Sequence, residues 1–531
     1  MLQSAVAVRI GAAVEEATGE VIDAGPLLGH LLEWVAELSA ELMARCWRPA
    51  TLAALHAGVD GLGRKLPSTA AVIAQRLGWV PQPADGVCVD SRVVRLAQAN
   101  VVSILKTLAY RDRLIPQVAA ALDEHGQLDV ARFDERCRDV SVAFARNLAR
   151  QLRRADRQAT SITEIQPAPT VPRIVRLGAV DAQLAQLDGS DPAGVWLRIK
   201  LPTSAAPGCR ADWAWYGLWC PIPAHLKDRE IRIWHLPTVS MHRGGPLLRF
   251  AITEAVPDPD TAHATAALGI DWSPASLGAA TVVAERGDAL VTDARTHIYN
   301  DRGLGARLAR LQTEGQRLGA KIDRLTALAE NAPDPTQGQL HAKIAVLAQH
   351  RRALGAKRRR INRELAFDFA ATMTAVASGS GAGVIAVEDL GGLETRGRGK
   401  TNNNRAAQSA RGKAVRALEH TAARAGLEVV MCPPRGTSAR CPGCDGELAR
   451  PGGYHSASCD RCGINGADRD QIAGQNISKR VLVAKTRVKR PKNKPKRITT
   501  VEHRPVTKTR QKTTATPKQR RHKRTRHTTP I

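Results

Sequence analysis

Aromatic residues are scarce in this chain, at 3% of 531 residues, with only five Phe and four Tyr. No run of 18 apolar residues occurs, which excludes an ordinary membrane-spanning helix. The opening segment MLQSAVAVRIGAAVEEATGE is too polar for a secretory signal. Acids are also in short supply: 50 Asp and Glu stand against 78 Lys and Arg, a net charge of +28. Six of the ten cysteines (Cys46, Cys88, Cys137, Cys209, Cys220 and Cys432) lack any framework spacing, so a disulfide scaffold is not indicated. These absences together describe a soluble cytoplasmic protein whose partner is a polyanion.

The other four cysteines are organised. Cys441 and Cys444 lie in CPGC and Cys459 and Cys462 in CDRC, with fourteen residues between the pairs. Two such knuckles supply four thiolates for a closed tetrahedral zinc site, which is structural because no coordination position stays open. Two redox dithiols are the competing reading, although nothing else in the chain suggests oxidative folding.

Hydrophobic residues amount to 43% of the chain, enough for several cores and two to four domains. Residues 1–165 carry apolar positions at helical spacing, as in GPLLGHLLEWVAELSAELMARCW, with a short strand expected at Ala5–Ile10. A proline-rich stretch near Ser161 marks a boundary. Strand-like runs such as GVWLRIKLP and DWAWYGLWCPIP then predict a barrel-like β module over 166–258. From 259 to 435 the pattern is α/β, with two long helical stretches joined at NAPDPTQ. The ribbon occupies 436–466 and a helix-starting acidic motif 467–480. Residues 481–531 are low in apolar residues and read as a disordered basic tail. From Lys485 onward 18 Lys and Arg face one acid, Glu502, so about +17 of the charge sits there and about +11 in the body. The tail can be a solubilising arm, yet the body is basic without it.

Three acids stand out by position. Asp271 ends the apolar run ALGI, Glu388 ends GVIAV, and Asp470 lies in ADRD ahead of a helical pattern. Each has an ordinary explanation: a strand-end acid opens a turn, and Asp468 or Asp470 can cap a helix. Brought together, such carboxylates offer the hard oxygen ligands that magnesium requires.

The segments LGIDWSP, VIAVEDLGGL, PPRGTSARCPGC, CDRCG and DRDQIAGQNI together span roughly 266–480. In these motifs the second half resembles the RuvC nuclease of transposon-encoded TnpB proteins and of the compact type V CRISPR effectors descended from them. The upstream order resembles, more weakly, that family's helical recognition lobe and wedge domain. The resemblance implies a multidomain α+β protein: a helical recognition lobe, a β-barrel-like wedge domain, and an RNase H-like (RuvC) α/β domain with an inserted zinc ribbon. It further implies a guide RNA and a target DNA as partners, with metal-dependent cutting of DNA. Asp271, Glu388 and Asp470 would then bind catalytic Mg2+, as two ions, and the four cysteines structural Zn2+. Arg150 and Arg153, with Arg358 and Arg359, are expected to contact nucleic acid, from charge placement alone. Two of the motifs depart from the family pattern. Ser273 stands where the family has Gly, and Ile472-Ala473-Gly474 stands where it reads Asn-Ala-Ala. Two alternatives stay open: a guided DNA-binding protein that silences by occupancy, and a transposon-associated DNA-binding accessory.

Overall fold

The computed structural model describes the chain except residues 137–141, 155–158, 180–182, 190, 192, 262, 273–276, 390–410, 452, 454, 485–495 and 498–531. Ser273 and most of the basic tail therefore lie outside the described residues. The chain divides into two compact units, Met1–Val256 and Pro257–Ile531. No described helix is long and apolar enough to cross a membrane.

The first unit holds two five-stranded sheets and a set of helices. Alternation of apolar residues sets Val6 and Val8 inward along the strand Leu2–Arg9. This strand pairs antiparallel with Gly245–Glu254, so the opening residues close the β module that follows 160 or more residues of helical pattern. Ala12–Glu15 and Val21–Asp23 join the other sheet, beside the strand Trp213–Pro221. The β region thus draws three strands from the segment expected to be mostly helical. Among the described residues the ladders leave the two sheets separate, and no closed barrel forms. The strand Gly245–Glu254 spends one edge on two short strands in succession, Thr238–His242 and Ile231–Trp234, which uses up pairing positions without closure. The helices Ala24–Cys46 and Ser91–Asp112 turn one stretch toward the sheets and another toward a separate helical core containing Phe133 and Leu105.

The second unit is built on one mixed sheet. Its strand order is Ala289–Tyr299, Gly278–Arg286, Ala266–Asp271, Val384–Glu388, Glu428–Cys432 and the two-residue strand Lys496–Arg497. The first three are antiparallel neighbours and the rest pair in parallel. Both faces are covered, which explains why Ala266–Asp271 and Val384–Glu388 are buried throughout. On one face Leu268, Ile270, Ile385 and Val387 meet the long helix Asp334–Gly379 and the helix Arg411–Arg424. On the other, Ala267, Val384, Ala386 and Val430 meet the helix Arg469–Val483 through Ile477, Val481 and Leu482. That helix runs to Val483, into the stretch expected to begin the tail.

The helix Arg469–Val483 lies unusually close to the sheet. A Cβ on Gly269 would fall 2.1 Å from the Gly474 carbonyl oxygen and 2.6 Å from the Ser478 amide nitrogen. A Cβ on Gly474 would fall 2.9 Å from Thr281 Oγ1 and 3.1 Å from the Gly269 carbonyl. Ser478 Oγ uses the proximity to donate to the Thr281 carbonyl at 2.9 Å. Gly269→Ala should cost stability at the top of the ~1–3 kcal/mol range for overpacked sites, and Gly474→Ala less. Denaturant unfolding of the two variants checks that order, and equal stability to the parent would rule out the close seat.

Candidate metal-binding site

Side-chain parity and register decide where the three acids go. Asp271 follows Ala267 and Gly269 on alternate positions, and Glu388 follows Val384 and Ala386, so both face the helix Arg469–Val483. Ile270 pairs with Val387 in the parallel ladder, which leaves Asp271 and Glu388 as neighbours one position further, at the strands' carboxyl ends. Asp470 lies in the first turn of the helix packed on that face, behind the N-cap Asp468, whose carboxylate accepts from the Asp470 amide at 2.8 Å. Open α/β sheets bind their ligands at this edge, outside the carboxyl ends of the strands.

The structure joins Asp271 to Glu388 by a hydrogen bond and sets Asp470 within electrostatic reach of Asp271. Asp271 is 5% exposed and Glu388 7%. Burial, then the charges of Glu388 and Asp470, push the Asp271 carboxyl up to about 8, and a hydrogen bond joins it to Glu388. Burial also raises Glu388, against a donated hydrogen bond from Thr437 and the positive charges of Arg469 and Arg411. Trp272 Nε1 donates to the Glu388 carbonyl at 3.3 Å while its ring packs 5.7 Å from Phe369. A set of carboxylate oxygens whose mutual repulsion is only partly offset fits hard divalent cations.

The four cysteines converge as well. Their Sγ atoms lie within 4.8 Å of one another. Zinc–sulfur bonds of about 2.3 Å require thiolates near such separations in a tetrahedron. In the first knuckle the Cys441 amide donates to Gly446 O at 2.8 Å and the Asp445 amide to Cys441 O at 2.9 Å. Asp445 adopts φ 57°, in the left-handed region that a tight knuckle needs. The amide of Gly446 pulls the Cys444 thiol down to about 7. The strands Ser456–Cys459 and Ile464–Asp468 form a small antiparallel ribbon around the second knuckle. Its apolar centre consists of Cys441, Leu448, Ala457 and Cys459, and it includes Ile472 from the neighbouring helix.

The four arginines expected at nucleic acid are divided between the two units. Arg150 and Arg153 are exposed on the helix Val142–Arg154 of the first unit. Arg359 is exposed and Arg358 half-buried on the helix Asp334–Gly379 of the second. Sequence reading quoted Asn476 as part of a matching motif but gave it no role, and it passed over Thr437 and Arg469, although both sit inside the quoted motifs. Arg469 Nη2 donates to Ser438 Oγ at 3.1 Å, beside the acids whose charge it offsets.

Residues 412–477 match the family model described as Cas12f1-like, TNB domain. That match supports the resemblance to TnpB and the compact type V effectors. A Cas12f1–sgRNA–target DNA complex is similar at 10% identity and TM-score 0.40, over 90% of this chain and 98% of that one. An AacC2c1–sgRNA binary complex shares 9% identity at TM-score 0.45, over 91% and 89%. CasPhi-2 (Cas12j) bound to crRNA and phosphorothioate DNA shares 10% identity at TM-score 0.41, over 92% and 93%. These scores fall short of establishing a common fold. No curated protein matches the chain.

Two outcomes follow from this geometry. The raised Asp271 favours its neutral form when folded, so the stability it contributes is full below about 4 and is lost as pH rises to about 8. Asp271→Asn in magnesium-free, zinc-replete buffer should therefore melt higher than the parent by about 1–2 kcal/mol above pH 8, with the gap closing toward pH 4. Parallel melting curves at all pH values would count against buried repulsion. Cys441→Ser should lose bound zinc and expose the ribbon to proteolysis, because the metal's binding energy is folding energy. Unchanged zinc content by elemental analysis would remove the structural assignment.

Proposed function

We propose that this chain is an RNA-guided, DNA-targeting effector that cuts DNA phosphodiester bonds at Asp271, Glu388 and Asp470. The observation that supports this reading is the hydrogen-bonded pair Asp271 and Glu388 at the strands' carboxyl ends, with the charge of Asp470 acting on Asp271, in the unit that also gathers four thiols. The domain match over 412–477 and the net charge of +28 support the same reading.

In this reading residues 1–165 act as a recognition lobe and 166–258 as a wedge module. Residues 259–435 and 467–480 form the nuclease, with 436–466 as its zinc ribbon and 481–531 as a basic arm. Guide and target strand pair into a heteroduplex gripped through its backbone, so base pairing reads the sequence. Arg150, Arg153, Arg358 and Arg359 are proposed phosphate contacts. Cys441, Cys444, Cys459 and Cys462 would hold zinc in a closed set that leaves it no part in chemistry.

At the cutting site the three carboxylates would hold magnesium. Two such ions, when bound, supply an activated water and stabilise the departing oxygen. The chain's own contribution is to orient the ligands and exclude bulk water. With a cation held there, the Asp271 carboxyl would ligate as its carboxylate, its proton released to solvent. Arg469 and Arg411 lower the repulsion that an incoming phosphate meets.

The protein purified from its host should carry a discrete small RNA, and with guide, matching DNA and magnesium it should cut the target. Loss of several kcal/mol of charge stabilisation in Asp271→Ala should slow cutting about a thousandfold or more. Tight target binding by the parent with the DNA left intact would favour silencing by occupancy. Co-purification with no defined RNA would favour an unguided DNA-binding accessory.

A further inference from the structure

Residues 433 to 442 lead from the strand Glu428–Cys432 into the first cysteine knuckle, which they enter at Cys441. Five carbonyls of this segment accept hydrogen bonds from one helix, Arg469–Val483. Asn476 Nδ2 donates to both Thr437 O and Arg440 O at 2.7 Å. Arg480 reaches Pro433 O at 2.6 Å and Arg435 O at 2.9 Å. Lys479 Nζ reaches Pro442 O at 2.6 Å. An irregular segment has no ladder of its own, so these side chains fix its path.

One side chain of this strap points at the acids. Thr437, 3% exposed, places its Oγ1 at 2.7 Å from Glu388 Oε1 and 2.9 Å from Pro434 O. A glutamate has three side-chain torsions, and a hydroxyl on one carboxylate oxygen fixes the plane in which the other is offered. Asn476, itself 6% exposed, holds the Thr437 backbone from the opposite side. A merely local cap would not need a buried amide that spends both protons on this one segment.

We propose that Thr437 is the positioning residue of Glu388, holding Oε1 so that Oε2 is presented to a divalent cation, with Asn476 locking Thr437 in place. This inference rests on the reading of Glu388 as a metal ligand. Outer partners of this kind hold ligands in the geometry that a bound metal demands, and their loss typically costs about ten- to a hundredfold in metal affinity or activity. The strap also runs directly into Cys441, so the Glu388 conformer depends on the ribbon being folded.

The test uses the full-length chain and three forms: the parent, Thr437→Val and Thr437→Ser. Mn2+ titration followed by electron paramagnetic resonance reads affinity at the acid site, with Asp271→Asn marking the site-specific signal. Thr437→Val, which keeps the shape and loses the hydroxyl, should weaken Mn2+ binding about tenfold or more, and Thr437→Ser should restore it. The magnesium concentration that half-saturates DNA cutting should rise in the same order. Zinc content and melting temperature should match the parent in all three forms. Parent-like Mn2+ affinity in Thr437→Val, or no rescue by Thr437→Ser, would overturn the positioning role while leaving the metal site standing. A parent that binds no Mn2+ at these acids would overturn the metal-site reading and this inference with it.

Discussion

Two buried carboxylates in hydrogen-bond contact, with the charge of a third acid acting on them, are expensive, and the second unit is arranged around that cost. Two unit charges about 4 Å apart repel by about 4 kcal/mol at the effective dielectric of protein sites. Asp271 answers by keeping its proton to about pH 8, while Glu388 is eased by the Thr437 hydroxyl and two arginines. Neither response removes the strain. It persists because the strands Ala266–Asp271 and Val384–Glu388 are locked side by side in a sheet covered on both faces. A divalent cation entering the cluster would turn the repulsion into ligation, so binding the metal and stabilising the fold become one process.

The helix Arg469–Val483 delivers the third acid and does so as a two-faced element. Its Ala473, Gly474, Ile477 and Val481 meet the sheet, the same side on which Asp470 begins. Two residues along an α-helix turn the direction by about 200°, so Ile472 looks the opposite way. There it is 2% exposed, within the apolar centre of the ribbon. Both departures from the family pattern at this helix therefore have packing reasons. Ile472 serves the ribbon, where an amide would lose apolar contact. Gly474 stands where a methyl group would crowd Thr281 and the Gly269 carbonyl.

Features that repeat in the sequence were legible, and features that depend on approach distance were not. The CxxC spacing needs only local turns to bring pairs of thiols together, and the four sulfurs do meet. Asp271 and Glu388 could be noticed because each ends a fully apolar run. Their shared face followed from parity, but their adjacency depended on a parallel register that no local pattern encodes. Leu2–Arg9 looked like a minor strand because its partner, Gly245–Glu254, lies more than two hundred residues away. Gly269 is an ordinary strand glycine until the Gly474 carbonyl is seen against it. Thr437 lay in a quoted motif as an unremarked neighbour of Cys441, since nothing in its type announces which acid it will face. The arginine choices rested on charge runs, which locate a surface without locating a ligand.

On the proposed function, a basic chain that binds a polyanion and works through an acidic pocket contains an electrostatic contradiction, and its resolution would order the events at the site. The overall excess of +28 draws nucleic acid from a distance, where charges act in sum. Within a few ångströms the sum no longer governs, and a phosphate meets Asp271, Glu388 and Asp470. Arg469 tempers that field at both Asp271 and Glu388, and Arg411 at Glu388. Capture can therefore proceed on the basic surface with the acid cluster empty of cations, whereas close approach of the scissile phosphate cannot. On the proposed reading, binding and cutting would be separable because the charges that serve them differ in sign, and whatever holds Glu388 in a ligating pose would set how readily the second follows the first.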